Sequence, residues 1–241
     1  MGRMIRKLST HFVVHSKSDK EQISRIYKIP EWKISVIPHG LYDHYRNVEN
    51  AKEILKIREE FVILFFGLIR PYKGVKYLIE AFEMLPKELI ENSKLLIVGE
   101  IWEDEEVVKR IGESKLRDKI TLVNKYVPDE EVSLYFSASD VLVLPYLRAS
   151  QSGVAHIGMS FGIPIIATRV GGLEESLSEY SGAYFVDPKA ESIAEALQRI
   201  YYEPIKSFSA PEKLKWENLA RIWVDLIRNL CKNEEKNYVN R

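Results

Sequence analysis

Arg70 and Lys73 stand three residues apart in Gly67-Leu68-Ile69-Arg70-Pro71-Tyr72-Lys73-Gly74, directly after the apolar run Phe61 to Phe66. A guanidinium binds a phosphate through two parallel hydrogen bonds, and a lysine adds a point charge. A second stretch, Asp140 to Glu174, supplies backbone chemistry. Its turn Gln151-Ser152-Gly153 precedes a helical pattern carrying Val154, Ile157 and Phe161 on one face, with Gly162 at its end. A helix start offers free N–H groups and a positive dipole end, which suits an anion. The amides of Ser152, Gly153 and Val154 with Arg70 and Lys73 suit a diphosphate. The alternative is that the two cations are solvated charges at a helix start, where the dipole does not favour them. No Gly-x-Gly-x-x-Gly follows the first strand and no Gly-Lys-Ser/Thr occurs, which argues against a dinucleotide dehydrogenase and a P-loop enzyme.

Other candidates carry less. His11 and His15 share one face of a strand or helix, but no third ligand lies nearby in sequence, so a metal pair is disfavoured. His39, in Pro38-His39-Gly40, reads as a linker turn. His156 either faces the crevice or sits on a helix surface. Glu100 follows the second strand near the crevice mouth and either meets a ligand or is solvated. Glu174 and Glu175 follow Gly171-Gly172 at a helix start, where acids are favoured in any case. The Tyr and Trp residues read as core or interface.

These residues need a frame to hold them. From Phe61 onward, apolar runs alternate with helical patterns. Strands are expected at Phe61 to Phe66, Lys94 to Val98, Lys119 to Val123, Val141 to Leu144, Ile163 to Thr168 and Ala183 to Val186. Helices are expected over Lys73 to Leu85, Glu103 to Gly112, Asp129 to Ala138 with Pro128 in its first turn, the stretch after Gly153, and the stripe Ile193, Leu197, Ile200 and Tyr201. In front lie a strand Thr10 to His15, a helix Lys20 to Tyr27 capped by Ser18 or Asp19, a strand Ile34 to Ile37 and a helix Asn50 to Arg58. Pro204 and Pro211 bracket a linker before a last helix, Glu217 to Leu230, and residues after Lys232 read as frayed. The chain is therefore α/β, a doubly wound Rossmann-like parallel sheet covered on both faces. The usual strand order, 3-2-1-4-5-6, opens a ligand crevice between strands one and four. The loops after those two strands are the two already singled out.

Composition narrows the classes. The chain of 241 residues is 46% apolar and 29% charged, as expected for a soluble globular protein. Its formal net charge of zero gives no global field for nucleic acid or an anionic membrane, though a local basic site remains compatible. The single cysteine, Cys231, excludes a disulfide framework and a cysteine metal site and fits a reducing, cytoplasmic compartment. The basic start MGRMIRKLSTHFVVHS lacks a signal peptide's apolar core, and no apolar run is long enough to form a transmembrane segment. Plentiful Lys, Glu and Ile with scarce Gln is a bias of heat-adapted, thermophile proteins.

FFGLIRPYKGVKYLIEAF, the VGE after the second strand, KYVPDEEVSLYFSASDVLVLPY and GIPIIATRVGGLEE together resemble the donor-binding half of GT-B fold retaining glycosyltransferases of the family 4 type. The resemblance covers roughly residues 8 to 230. It implies transfer of a sugar from a nucleotide-sugar to an acceptor hydroxyl, with no metal and no cofactor. It implies that Arg70, Lys73, Gly153 and Val154 hold the donor diphosphate, that Gln151 and Ser152 meet the donor sugar, and that Lys125, Tyr126 and Val127 meet the base; Glu100 joins the sugar candidates by its place after the second strand. No catalytic residue is assigned.

Two departures stand out. The paired glutamates of most members fall on Ala149 and Ile157, and Ser150-Gln151-Ser152-Gly153 resembles a branch that carries Ser-Gln-Ser-Gly there. Ile157 cannot bind ribose hydroxyls, whereas the Gln151 amide can bond the sugar. Further, only the last strand and helix of the acceptor-side domain are recognisable. The expected layout is a remnant of that domain and a linker over 1–45, a nucleotide-sugar-binding domain over 46–210, and a helix and tail over 211–241. A partner chain resembling the N-terminal domain, or a homo-oligomer, would complete the enzyme. The alternatives are a non-catalytic binding or interaction module and, more weakly, another GT-B enzyme such as a nucleotide-sugar epimerase.

Overall fold

The computed structural model describes residues 3–203 and 207–239. The chain divides into two compact units, Met1–Leu41 with Pro211–Arg241, and Tyr42–Ala210. Pro204, one bracket of the expected linker, lies outside the described residues.

The larger unit holds six parallel strands. These are β3 (Phe61–Phe66), β4 (Ser93–Val98), β5 (Ile120–Val123), β6 (Val141–Leu144), β7 (Ile165–Thr168) and β8 (Ala183–Val186), in the order β5-β4-β3-β6-β7-β8. That is the doubly wound order expected from the sequence. It puts β3 and β6 side by side, paired at Ile63–Val141 and Leu64–Leu142. Val62 to Phe65 and all of β6 are fully buried, as near-continuous apolar strands inside a two-faced sheet must be. The edge strand β8 is only half-buried.

The helices of this unit are α3 (Ala51–Ile54), α4 (Val75–Glu83), α5 (Lys87–Asn92), α6 (Glu106–Glu113), α7 (Asp129–Ser137), α8 (Gly153–Phe161), α9 (Gly172–Leu177) and α10 (Ala190–Tyr202). On one side α4 packs against both α6 and α10, and on the other α7 packs against α8 and α3. Val75, Leu78, Ile79 and Phe82 of α4 are all fully buried, each contributing about 1.5–3 kcal/mol of burial. An acid clamps the start of the two central strands. Asp140 Oδ2 accepts from the Val62 amide at 2.7 Å and from Lys52 Nζ at 2.7 Å, while the Asp140 amide donates to Val62 O at 2.9 Å.

Several boundaries differ from expectation. α4 starts at Val75 because Pro71–Lys73 form a 3₁₀ turn and Gly74 is left-handed, with φ 66°. A Cβ on Gly74 would lie 2.0 Å from Pro145 O, so only glycine fits. α6 starts at Glu106 because Glu103 takes φ 59°. The helix expected over Asn50 to Arg58 shrinks to Ala51–Ile54, ending before Lys56 at φ 56°. α5 has no counterpart in the sequence reading. Pro128 stands one residue outside α7 rather than in its first turn.

The smaller unit contains α1 (Arg3–Leu8), β1 (Phe12–Val14), α2 (Lys17–Tyr27), β2 (Ile34–Val36) and α11 (Trp216–Val239). β1 and β2 pair in parallel, and α2 covers them through a small core of Val14, Ile29 and Ile34. The cap of α2 is Ser16, whose Oγ accepts from the Asp19 amide at 3.0 Å, rather than Ser18 or Asp19. Trp216, the first residue of α11, seats on the Pro38-His39-Gly40 turn. Its Nε1 donates to Leu41 O at 2.8 Å, and a Cβ on Gly40 would lie 2.5 Å from its ring. Leu219 is buried, while Ile222, Val224 and Ile227 are more than two-fifths exposed. The helix continues past Lys232 to Val239, where fraying was expected.

Candidate functional site

Within the larger unit, the loop after β3 bends back through the 3₁₀ turn, which puts Arg70 and Lys73 on one turn, Lys73 N donating to Arg70 O at 2.8 Å. The loops after β3 and β4 are stitched beyond the sheet: Ile69 N donates to Glu100 O at 2.9 Å and Trp102 N to Ile69 O at 2.8 Å. That stitch lays the Trp102 ring against Arg70, 5.0 Å from the guanidinium carbon to the ring centroid. Arg70 Nε is buried and has no hydrogen-bond partner among the described residues.

The Lys73 ammonium sits 3.6 Å from the centroid of the Tyr146 ring and 5.5 Å from that of Tyr72. Among the described residues no carboxylate lies within ion-pair distance of it. Burial alone pulls its pKa from 10.5 down to about 8. A cation held against an aromatic face and shielded from water lacks only an anion.

The other loop arrives from β6. Tyr146 is fully buried, and burial pushes its phenol up. Its hydroxyl lies 3.2 Å from Ser152 Oγ. Ser152 is buried and caps α8, accepting from the Ala155 amide at 3.4 Å. The amides of Gly153 and Val154, in the first turn, have no intrahelical acceptor. The two loops converge: Leu147 N donates to Tyr72 O at 2.8 Å, and a Cβ built on Gly67 would lie 3.4 Å from Val154 Cγ2. The two loops are thus held against each other, Arg70 and Lys73 on the one and Ser152, Gly153 and Val154 at the end of the other.

The remaining candidates are placed as follows. Gln151 is half-buried just before α8, and Glu100 is exposed at the end of β4. Lys125 is exposed and paired to Glu131 at 2.7 Å, a hydrogen bond that raises its pKa. Tyr126 is exposed and Val127 buried, both at the exit of β5, two strands away from β3. His156 is buried within α8, so it has no helix-surface role, and Ile157 beside it is also buried. Glu174 pairs with Arg169 at 2.7 Å. His11 bonds Ser35 Oγ and His15 bonds Ile37 O, each at 2.9 Å, and no group of three metal-ligating side chains occurs among the described residues.

Sequence reasoning missed three aromatic partners. Trp102 and Tyr146 give no spacing signal, because a ring–cation contact across loops has none. Tyr42, placed at an expected domain boundary, lies over the head of α8: a Cβ on Gly153 would sit 3.0 Å from its hydroxyl. The segment after it is pinned along α7 by Tyr45 Oη on Asp129 Oδ1 at 3.2 Å and by Val48 N on Ser137 Oγ at 2.9 Å. Burial, with Asp129 second, raises the Tyr45 phenol to about 12.

Known proteins share this frame. An uncharacterized glycosyltransferase of Methanocaldococcus jannaschii is 29% identical over 241 residues, covering 91% of this chain and 60% of the relative. The solved sucrose-phosphate synthase of Thermosynechococcus elongatus superposes with a TM-score of 0.75 at 24% identity, over 92% of this chain and 58% of that one. Anabaena HepE, solved in complex with UDP-glucose, superposes with a TM-score of 0.76 at 15% identity, over 95% and 65%. The two solved structures show the fold alone. The chain spans about three-fifths of the length of the relatives it matches. Residues 47–219, nearly the whole of the larger unit, match the family described as glycosyl transferases group 1, and the chain belongs to that family.

Proposed function

We propose that this chain is the donor-binding part of a retaining, family 4 type GT-B glycosyltransferase of the Ser-Gln-Ser-Gly branch. It binds a nucleotide-sugar in the crevice between the ends of β3 and β6. The observation that carries this reading is a pair of cations with no carboxylate at ion-pair distance among the described residues. Arg70 keeps a buried Nε without a partner, and Lys73 is desolvated with no carboxylate within reach among the described residues. Both stand on the loop that Leu147 N ties, through Tyr72 O, to the loop leading into α8. A diphosphate would complete all three groups.

In the reaction, the bond from the sugar's anomeric carbon to the diphosphate oxygen breaks, and a bond to the acceptor oxygen forms. The acceptor's proton passes to the departing diphosphate or to solvent. Negative charge grows on the leaving oxygen, so Arg70, Lys73 and the Gly153 and Val154 amides lower the barrier electrostatically, without a metal or cofactor. Gln151, Ser152 and Glu100 are assigned to the sugar, and Lys125, Tyr126 and Val127 to the base, chiefly through main chain. Acceptor-binding groups come from a further domain, a partner chain or a second copy. No helix among the described residues is long and apolar enough to cross a membrane, and we place the reaction in the cytoplasm.

Calorimetry with UDP, UDP-glucose and other nucleotide-sugars, with chelator present, tests this. Each charge-assisted contact contributes about 1.5–3 kcal/mol, so Arg70→Ala/Lys73→Ala abolishes measurable binding. A folded wild type that binds none of them overturns the reading. A second reading, a binding module without catalysis, is favoured by one observation: Ala149 and Ile157 stand where a carboxylate pair would, and Ile157 is buried. It is chosen if the donor binds but no sugar is transferred when the acceptor-side domain is supplied.

A further inference from the structure

We propose that Tyr146 is the positioning residue of this site: its ring seats the Lys73 ammonium and its hydroxyl anchors Ser152, so one side chain sets the spacing between the two anion-binding loops. Its role in catalysis rests on the donor-site reading above. Its geometry does not.

Three consecutive residues lock the loop after β6 to the turn that carries Arg70 and Lys73. Pro145 O packs where a Cβ on Gly74 would be, at 2.0 Å. The Tyr146 ring holds Lys73 Nζ at 3.6 Å from its centroid. Leu147 N donates to Tyr72 O at 2.8 Å. Tyr146 itself cannot drift, because Thr168 Oγ1 donates to its carbonyl at 2.5 Å and fixes it to β7. From the far end of the same ring, the hydroxyl reaches Ser152 Oγ at 3.2 Å, and Ser152 is the cap of α8. The ammonium, the ring, the hydroxyl, the cap and the helix start thus form one continuous path.

The other charged or titratable groups around Lys73 do not offer a rival anchor. Tyr72 presents its ring at 5.5 Å, and Arg148 lies over Tyr72, with its guanidinium 5.3 Å from that ring. Arg70 is engaged with Trp102. A ring face attracts an ammonium without neutralising it, so the charge stays available to a ligand. A carboxylate in the same place would compete with the diphosphate. Phenylalanine would seat the lysine but release Ser152, and serine would reach neither.

The test has one arm without ligand and one with it. In the first, side-chain NMR of ¹³C-labelled lysine, with Lys73 assigned from Lys73→Arg, reads ring current. Methylene protons over a ring face shift upfield. The shift is expected in wild type and Tyr146→Phe and absent in Tyr146→Leu. In the second arm, UDP affinity is measured in a double-mutant cycle. Tyr146→Leu should weaken UDP thirtyfold or more in wild type but only three- to tenfold, the Ser152 share, in a Lys73→Ala background. Tyr146→Phe, which keeps the core filled, should lose three- to tenfold, through Ser152. No ring-current shift in wild type, or equal losses from Tyr146→Leu in both backgrounds, overturns the proposal. If UDP does not bind wild type at all, the donor reading falls and the ring-current arm alone decides whether Tyr146 seats Lys73.

Discussion

Lys73 is where stability and binding pull in opposite directions. Its pKa is about 8 in the folded protein against 10.5 unfolded. Only the protonated form attracts a diphosphate, so affinity should fall about tenfold between pH 7 and pH 9 as the proton is lost. Lys73→Arg, which stays charged, should flatten that profile in a calorimetric pH series. Stability runs the other way. A buried ammonium costs the empty protein free energy below pH 8, and that cost shrinks as pH rises from 8 towards 10.5. Lys73→Met should therefore melt above wild type at pH 7 and lose the advantage above pH 10, as read by calorimetric scanning. The two cations were legible in the sequence because they stand three apart directly after an apolar strand. Their aromatic seats, Tyr146 and Trp102, were not. Each meets its cation across a loop junction, and nothing in local spacing encodes that.

At the scale of elements, the joint between β3 and β6 depends on Asp140. Its carboxylate satisfies both the Val62 amide and Lys52 Nζ. Asp140→Ala leaves a partly buried amide unpaired and should cost about 1–3 kcal/mol in urea unfolding. Because the clamp lies at the opposite end of the strands from the crevice, UDP affinity should stay within twofold. Gly74→Ala should do the reverse of sparing the site. Its Cβ would collide with Pro145 O, so the turn must move and nucleotide affinity should drop at least tenfold in calorimetry. The strands Phe61–Phe66, Val141–Leu144 and Ala183–Val186 were readable because short apolar runs bounded by Gly, Pro or charge leave few alternatives. The helix ends were harder. Glu103 and Lys56 take left-handed backbone that their residue types do not announce, and they cut α6 and α3 short. α5 was missed because it buries a single side chain, Leu89, and so carries no apolar period.

At the scale of the molecule, the order of the six strands followed from the alternation of runs and helices, since a parallel sheet with right-handed crossovers has few arrangements. The surface of α11 did not follow, because an apolar stripe looks the same whether it is buried or waiting. Changing Ile222, Trp223 and Ile227 to serine should lower binding of a hydrophobic dye and shift Tm by no more than a few degrees, since these side chains are already exposed. The smaller unit, finally, is built from both ends of the chain, with the larger one encoded between them. During synthesis the larger unit has all its strands once residue 186 has emerged, while the first 41 residues must wait for Trp216 to seat on Gly40. A nascent chain stalled before that point should therefore resist protease across residues 61–186 and be cut within residues 3–41, because the smaller unit closes only after the segment between its two parts has been made.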